Sequence, residues 1–402
     1  MVDQALSSGT QLLLLVLVAR QADATTLGAL SVALIAHGFL LGVLRAAIGE
    51  VVLLRCRADR SSVRPEVRVG LFLALIAGVA AGLGLVVAGG VVGGEVGHFL
   101  LLVGLAAPFV YMQDLFRYVS YGAGRIEDAV LVDGVWLGVQ VVVSAILLAS
   151  TDAATPTRLV LAWMVGAGAG AVGGGLRQRV WPRPVPLGRW WRQERARAGG
   201  FVADFLVSNG MWQGSFLLVS LLLPLNEFGG LRVAFVALGP LANLMAGVRT
   251  LTLAQLGGLR ARPAWAWRRA AQLAAVLAGA GAVYGIGVVL LPDRWGSELF
   301  GDTWAEAASL VGVVAAGEVL RLGSFAAIDL VKVLGSPTDL VRTRLAGGIW
   351  VVAGLVFGTV AAGPEGAVVG TTVGHGINGI IWWRQGWALG HRQDQPVSAV
   401  RT

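Results

Sequence analysis

The stretch LLGVLRAAIGEVVLLRCR, Leu40 to Arg57, sets two formal charges, Arg45 and Glu50, inside an apolar run that begins at Leu27 and breaks only at Arg55. An arginine at the centre of a membrane helix is unfavourable by about 2.5–3.5 kcal/mol on insertion scales, so a partner or a purpose is required. The rest of the chain shows what kind of run this is. Of its 402 residues 56% are hydrophobic and 13% charged, with a mean hydropathy of +0.74, whereas soluble domains carry about a quarter charged residues. The composition is that of a polytopic membrane protein.

Windows long enough to cross a hydrocarbon core of about 30 Å recur at 5–21, 27–54, 69–92, 98–120, 130–150, 158–176, 199–224, 228–256, 269–291, 304–333, 342–362 and 366–388. They predict an all-α integral membrane protein of about twelve transmembrane helices, the second, eighth and tenth over-long. A net charge of +8 would point to nucleic acid in a soluble protein; here the basic residues mark orientation instead. With these spans, 24 of the 31 Lys+Arg fall on one side, in loops such as 55–68, 177–197 and 260–269. That side is expected to be the cytoplasm and to hold both termini. Trp181, Trp190, Trp191, Trp265 and Trp267 accompany those arginines as interfacial anchors. The lone Cys56 excludes an intramolecular disulfide and a cysteine metal cluster, and no metal or cofactor is expected. LLLLVLVA (12–19) before Ala22-Asp23-Ala24 imitates a signal peptide, but Asp3 stands where a basic n-region belongs.

The same segment recurs. At an offset of 201, DQALSSG (3–9) aligns with DFLVSNG (204–210) and LGALSVALIAHG (27–38) with FGGLRVAFVALG (228–239); 11 of the 36 positions from 3 to 38 are identical without a gap. A tandem duplication of six helices returns the chain to its starting side, which predicts two parallel six-helix lobes. The expected organisation is a first lobe at 1–176, a basic cytoplasmic linker at 177–198, a second lobe at 199–390 and a cytoplasmic tail at 391–402. A cleft between such lobes is a natural substrate site, with the halves rocking around it.

Arg45 lies ten residues before Arg55, about 15 Å along a helix and so near mid-membrane. Arg249 lies at a similar depth on the helix equivalent by duplication. Each sits on a face of small residues, Gly38, Gly42 and Gly49 for the first and Ala242 and Ala246 for the second, which packs on protein or lines a cavity. Two readings stand: an interhelical ion pair, with Glu318 or Asp114 as partner, or capture of an anionic substrate by two guanidinium groups. Glu50, five positions on and about 140° round an α-helix, is not an intrahelical partner for Arg45.

The tenth span carries GEVLRLGSFAAIDLVK (317–332), in which Glu318 and Asp329 share a stripe and Arg321 lies about 60° from Glu318. Glu318 is either a gating or proton-coupling site or one half of a self-solvating pair with Arg321. Asp114, Arg117 and Asp133 are expected to pair with one another, and His37 and His375 to be packing histidines. GAGAGAVGGG (166–175) contains a GxGxxG string, yet no strand precedes it, and a helix-packing face explains it. No GxxxxGK[ST] occurs, which argues against ATP-driven transport by this chain alone.

DQALSSGTQLLLLVLVAR (3–20), RAAIGEVVLLR (45–55), QDLFRYVSYGAGR (113–125) and VDGVW (132–136), with looser matches at 199–213 and 231–249, resemble the polysaccharide-biosynthesis flippases of the multidrug/oligosaccharidyl-lipid/polysaccharide exporter superfamily. The resemblance implies movement of a polyprenyl-pyrophosphate-linked glycan across the bacterial cytoplasmic membrane by alternating access. It implies Arg45 and Arg249 as substrate-binding residues, with Arg20 a third; the intramembrane charges Glu318, Arg321 and Glu50 are, from the residues alone, the candidate gating or coupling set. Membrane lipids, a polysaccharide polymerase and glycosyltransferases are the implied partners, and nucleic acid is not one. The alternatives are a cation-coupled drug antiporter of the same superfamily, a major-facilitator transporter, whose GxxxDRxGRR signature fails at ADRSSVR (58–64), and an integral-membrane glycosyltransferase or polymerase, for which the outer loops are short.

The orientation is testable. Cysteine introduced at Ser61 or Leu187 should be shielded from an impermeant thiol reagent in intact cells, whereas cysteine at Asp293 or Gly363 should react. Labelling of Leu187→Cys from outside would reverse the assignment.

Overall fold

A computed structural model describes residues 2–58, 63–150, 155–184, 186–241, 252, 255–259 and 261–392. Among them there is no strand. The helices are α1 (Val2–Gln21), α2 (Ala24–Leu44), α3 (Glu50–Ala58), α4 (Val63–Val92), α5 (Gly94–Gly122), α6 (Ile126–Ala149), α7 (Pro156–Gln178), α8 (Leu187–Phe205), α9 (Met211–Leu222), α10 (Leu225–Ala237), α11 (Pro263–Val289), α12 (Asp293–Phe300), α13 (Thr303–Leu334) and α14 (Pro337–Arg392). Nine helices among the described residues are long and apolar enough to cross a membrane, and the protein is an all-α, multi-pass integral membrane protein. The second and tenth expected spans are over-long here too, at 33 residues (Ala24–Cys56) and 32 (Thr303–Leu334). Much of the expected eighth span lies outside the described residues.

The ends follow local chemistry. The Asp23 carboxylate accepts the Thr26 backbone N–H at 2.8 Å and starts α2. Thr155 caps α7, with Pro156 in the first turn, where its missing N–H is harmless. Gly93 and Gly94, at φ of 67° and 58°, turn α4 into α5. Within α14 the helical path breaks at Ala362 and Gly363 (φ 57°), directly before Pro364. Gly354 there abuts Gly370, and Gly358 abuts Gly366, so the two limbs form an antiparallel hairpin; the expected spans 342–362 and 366–388 meet at this bend.

Two π-helical turns interrupt long helices. Arg45–Gly49 joins α2 to α3 and Leu206–Gly210 joins α8 to α9. In the first, the Glu50 N–H bonds to the Arg45 carbonyl, five residues back. The extra residue in that turn removes about 100° of rotation. This corrects the helical-wheel reading: Glu50 stands roughly one turn beneath Arg45 rather than 140° away, although no ion pair joins them among the described residues.

The chain forms two compact units, Met1–Leu217 with Glu298–Asp302, and Leu218–Ser297 with Thr303–Thr402. In the first, residues 187–198 of the basic linker lie in α8, which runs on to Phe205. Glu194 there is held by Arg55 Nη1 at 2.6 Å and Arg197 Nη1 at 2.7 Å. Trp190 differs from the expected interfacial anchor: it is buried against Val51 and Ala198, because α8 docks on α3. Trp181, Trp191 and Trp265 remain exposed.

Lipid supplies no hydrophobic drive between helices, so small residues that admit close backbone approach hold the bundle together. Along α4 and α5, Gly89 faces Gly97 and Gly82 faces Gly104. On α7, Gly166, Gly170 and Gly174 receive Trp136, Gln113 and Phe116, which makes GAGAGAVGGG a packing face. A Cβ at Gly104 would lie 2.7 Å from the Gly82 carbonyl oxygen, an overlap that only backbone movement relieves. Gly104→Ala should therefore destabilise the protein by about 1–3 kcal/mol, read as a lower unfolding temperature in detergent. An unchanged transition would show that α4 and α5 are not in this register.

Candidate functional site

The opening arginine has a partner. Arg45 donates from Nε to Asp114 Oδ2 at 2.8 Å and from Nη2 to Asp114 Oδ1 at 2.7 Å, a bidentate pair between the π turn and α5. Arg117, one turn further along α5, donates from Nη1 to the same Asp114 Oδ1 at 3.0 Å. Its Nε lies 3.0 Å from Asp133 Oδ2 on α6, and Gln113 Nε2 donates to Asp133 Oδ1 at 2.6 Å. Two arginines and two aspartates thus form one formally neutral chain across three helices. Asp114, Arg117 and Asp133 are buried, with side-chain exposures of 4%, 6% and 0%, whereas Arg45 keeps 38%.

That exposed part borders a cavity of about 170 Å³ inside the first unit. Its walls include Thr10 of α1, His37 of α2, Gln113 of α5, Trp136 of α6, Trp163 of α7 and Gln213 of α9. Each helix contributes for a local reason. Gly38 opens α2 toward Gln213, whose Oε1 would lie 3.7 Å from a Cβ there. Gly166 and Gly170 let α7 close on Trp136 and Gln113. Trp136 Nε1 donates to the Trp163 backbone carbonyl at 3.1 Å, which orients the Trp136 indole. His37 sits 5.5 Å from the Tyr111 ring and 6.0 Å from the Trp163 ring.

Of the residues singled out from sequence, Arg45 is in this cavity and its Asp114 pairing is the ion-pair reading made concrete. Asp114, Arg117 and Asp133 do pair, joined by Arg45 and Gln113. Arg20 is exposed in the last turn of α1, nine residues and about 14 Å along the helix from the cavity residue Gln11, so the structure does not bring it to this cavity. Arg249 lies outside the described residues. In the second unit, Arg321 Nε donates to Glu318 Oε2 at 2.9 Å and its guanidinium carbon stands 5.0 Å from the Phe325 ring centroid. This is the i,i+3 pair that the spacing allowed.

Sequence reasoning missed the neutral wall. Gln113, Gln213, Trp136 and Trp163 carry no charge and so gave no alarm, and His37 was read as packing. The available signal was a set of amides within otherwise apolar spans, where each must find a polar partner.

The class so defined is an integral membrane protein with a charge-compensated arginine at a polar cavity inside a helical unit. Its fold is that of transporters of the MOP superfamily. An inward-facing multidrug resistance MATE family transporter of that superfamily aligns at a TM-score of 0.68 and 13% identity, over 98% of this chain and 96% of the other. The lipid II flippase MurJ in an inward closed conformation aligns at 0.72 and 11% identity, over 96% and 88%. A MOP superfamily transporter from Pyrococcus furiosus, described by the reversed polarity of its binding pocket, aligns at 0.59 and 12%, over 96% and 94%. Neither a protein-family profile nor a curated relative matches the sequence.

The buried network sets a clear expectation. Asp114→Asn removes the carboxylate that both Arg45 and Arg117 use, and breaking a buried pair is typically unfavourable by about 3–5 kcal/mol. The variant should show a strongly reduced yield of folded protein in the membrane, by size-exclusion profile in detergent, and Asp133→Asn a smaller loss. Wild-type behaviour of Asp114→Asn would mean that the pair carries no structural weight.

Proposed function

We propose that this protein is a flippase that carries a polyprenyl-pyrophosphate-linked glycan across a bacterial cytoplasmic membrane by alternating access, with both termini in the cytoplasm. One observation carries the reading. Asp114 engages Nε and Nη2 of Arg45, which leaves Nη1 without a hydrogen-bond partner among the described residues while the side chain keeps 38% exposure at a cavity. A guanidinium held by one edge presents its other edge as a preorganised oxyanion clamp. Arg249 is the proposed second grip, on the strength of the duplication. The lipid II flippase among the structural neighbours supports a lipid-linked substrate, and glycosyltransferases and a polymerase are the proposed supplier and consumer of it.

The multidrug transporters among the neighbours favour a second reading, a cation-coupled antiporter. The cavity chemistry weighs against it. Both Asp114 oxygens are taken by arginine, and a cationic drug would meet the open edge of Arg45.

Arg45→Ala should lower affinity for undecaprenyl pyrophosphate in detergent or nanodiscs by roughly ten- to a hundredfold, as expected for loss of charge-assisted hydrogen bonds of about 1.5–3 kcal/mol. Arg45→Lys should recover little of it, because an ammonium cannot span Asp114 and a phosphate together. Pyrophosphate-lipid binding that survives both substitutions in folded protein, or efflux of cationic drugs by the wild type, would favour the antiporter.

A further inference from the structure

Away from the cavity, one membrane-crossing segment is longer than a bilayer needs. It runs from Trp190 to Leu222, 33 residues, about 50 Å of helix against a hydrocarbon core of about 30 Å. Its far end, Met211–Leu222, carries no charge, so the surplus of about 20 Å, roughly thirteen residues, is the arginine-bearing beginning of α8. That stretch stands at the level of the lipid headgroups.

Two faces of α8 differ sharply there. Trp190, Glu194, Ala198, Phe201 and Phe205 fall within about 80° of one another and dock the helix. Trp190 and Ala198 pack with Val51, Glu194 is held by Arg55 and Arg197, and the Phe205 ring abuts Gly42, three residues before Arg45. Arg195 and Arg192 lie about 140° and 200° round from Trp190, with Gly188 and Gly199 between them. Both arginines are exposed, and among the described residues neither has an acidic partner. Arg192 Nε donates to the Gly188 backbone carbonyl at 3.2 Å, which lays the side chain back over the first turn. A Cβ at Gly188 or Gly199 would meet nothing within 4 Å, so the space beside the two guanidinium groups is open. Trp191 stands exposed at its edge.

We propose that the Arg192–Arg195 face of α8 binds the phosphodiester headgroup of an anionic glycerophospholipid, at a place separate from the cavity of Arg45 and whatever the cargo is. Depth, charge and shape select that occupant. At headgroup level the anions at hand are lipid phosphates, whose oxygens pair with guanidinium edges, and the exposed Trp191 is of the kind that settles in this layer. A zwitterionic headgroup carries its own ammonium and leaves the two arginines less well answered, whereas an anionic leaflet attracts them. The glycines let a headgroup come close to the helix. Because the opposite face is docked on α3 and ends on Gly42, a headgroup held here presses α8 onto the helix that carries Arg45.

The test titrates the full chain, in a neutral detergent, with phosphatidylglycerol, phosphatidylcholine or inorganic phosphate, and reads bound lipid and unfolding temperature together. Phosphatidylglycerol should bind roughly tenfold tighter than phosphatidylcholine and raise the unfolding temperature of the wild type. The double variant Arg192→Gln/Arg195→Gln should lose roughly tenfold or more of that affinity and the thermal gain with it. Without lipid it should unfold at the wild-type temperature, since neither arginine has an acidic partner to lose. Arg268→Gln/Arg269→Gln, in the basic first turns of α11, should leave phosphatidylglycerol binding unchanged. Undiminished binding by the α8 double variant would overturn the proposal, and so would an equal loss in the α11 variant, which would make the attraction a property of any basic residue. Equal affinity for phosphatidylcholine would overturn it by reducing the face to ordinary lipid contact, and displacement of the lipid by an equal concentration of inorganic phosphate by reassigning it to a free anion. Binding with no thermal gain in the wild type would overturn the bracing of the Arg45 helix.

Discussion

A guanidinium in the hydrocarbon region cannot remain uncompensated, and the first unit is arranged around that demand. Arg45 reaches Asp114 on α5, Asp114 accepts from Arg117, and Arg117 approaches Asp133 on α6. Each added charge answers the one before, and the chain ends only where the sum is zero. Because every link is short and directional, the chain fixes the relative rotation of α2, α5 and α6. The π turn belongs to the same solution: it begins at Arg45 and brings Glu50 beneath it, and such turns often mark functional positions in helices.

Charge alone does not hold the helices close enough for these bonds. Glycine faces do, by letting backbones approach where lipid offers no solvent drive. The α7 face at Gly166, Gly170 and Gly174 admits Trp136, Gln113 and Phe116, so the residues that pack the helix also set the cavity wall. Packing and site are one construction here. Two of the polar side chains along it are fixed by such contacts, Trp136 on the Trp163 carbonyl and Gln113 on Asp133.

The fold by itself leaves the cargo open. The same architecture serves a multidrug resistance transporter and a lipid II flippase, and function has to be argued from the site. The site speaks through its charge balance. The carboxylate that would attract a cation is occupied by two arginines, while the partly exposed Arg45 borders the cavity. That balance is the ground on which the proposal of an anionic, phosphate-bearing cargo rests.

The sequence by itself determined the solvent in which the protein lives and the number of buried charges to be answered. Hydropathy over twenty-residue windows is additive and local, so the long helices were legible, as were the glycine face of α7 and the mutual pairing of Asp114, Arg117 and Asp133. The tertiary structure decided what depends on rotation and on distance between helices. A wheel drawn at 100° per residue put Glu50 away from Arg45, and a single extra residue in the π turn undid it. Trp190, read from its arginine neighbours as an anchor, went inside because α8 docks on α3. The choice of Asp114 over Glu318 for Arg45, and the gathering of His37, Gln113, Trp163 and Gln213 around one cavity, join residues from four helices and a π turn. No local pattern encodes such a meeting, because it is set by the sum of helix crossings rather than by any one helix.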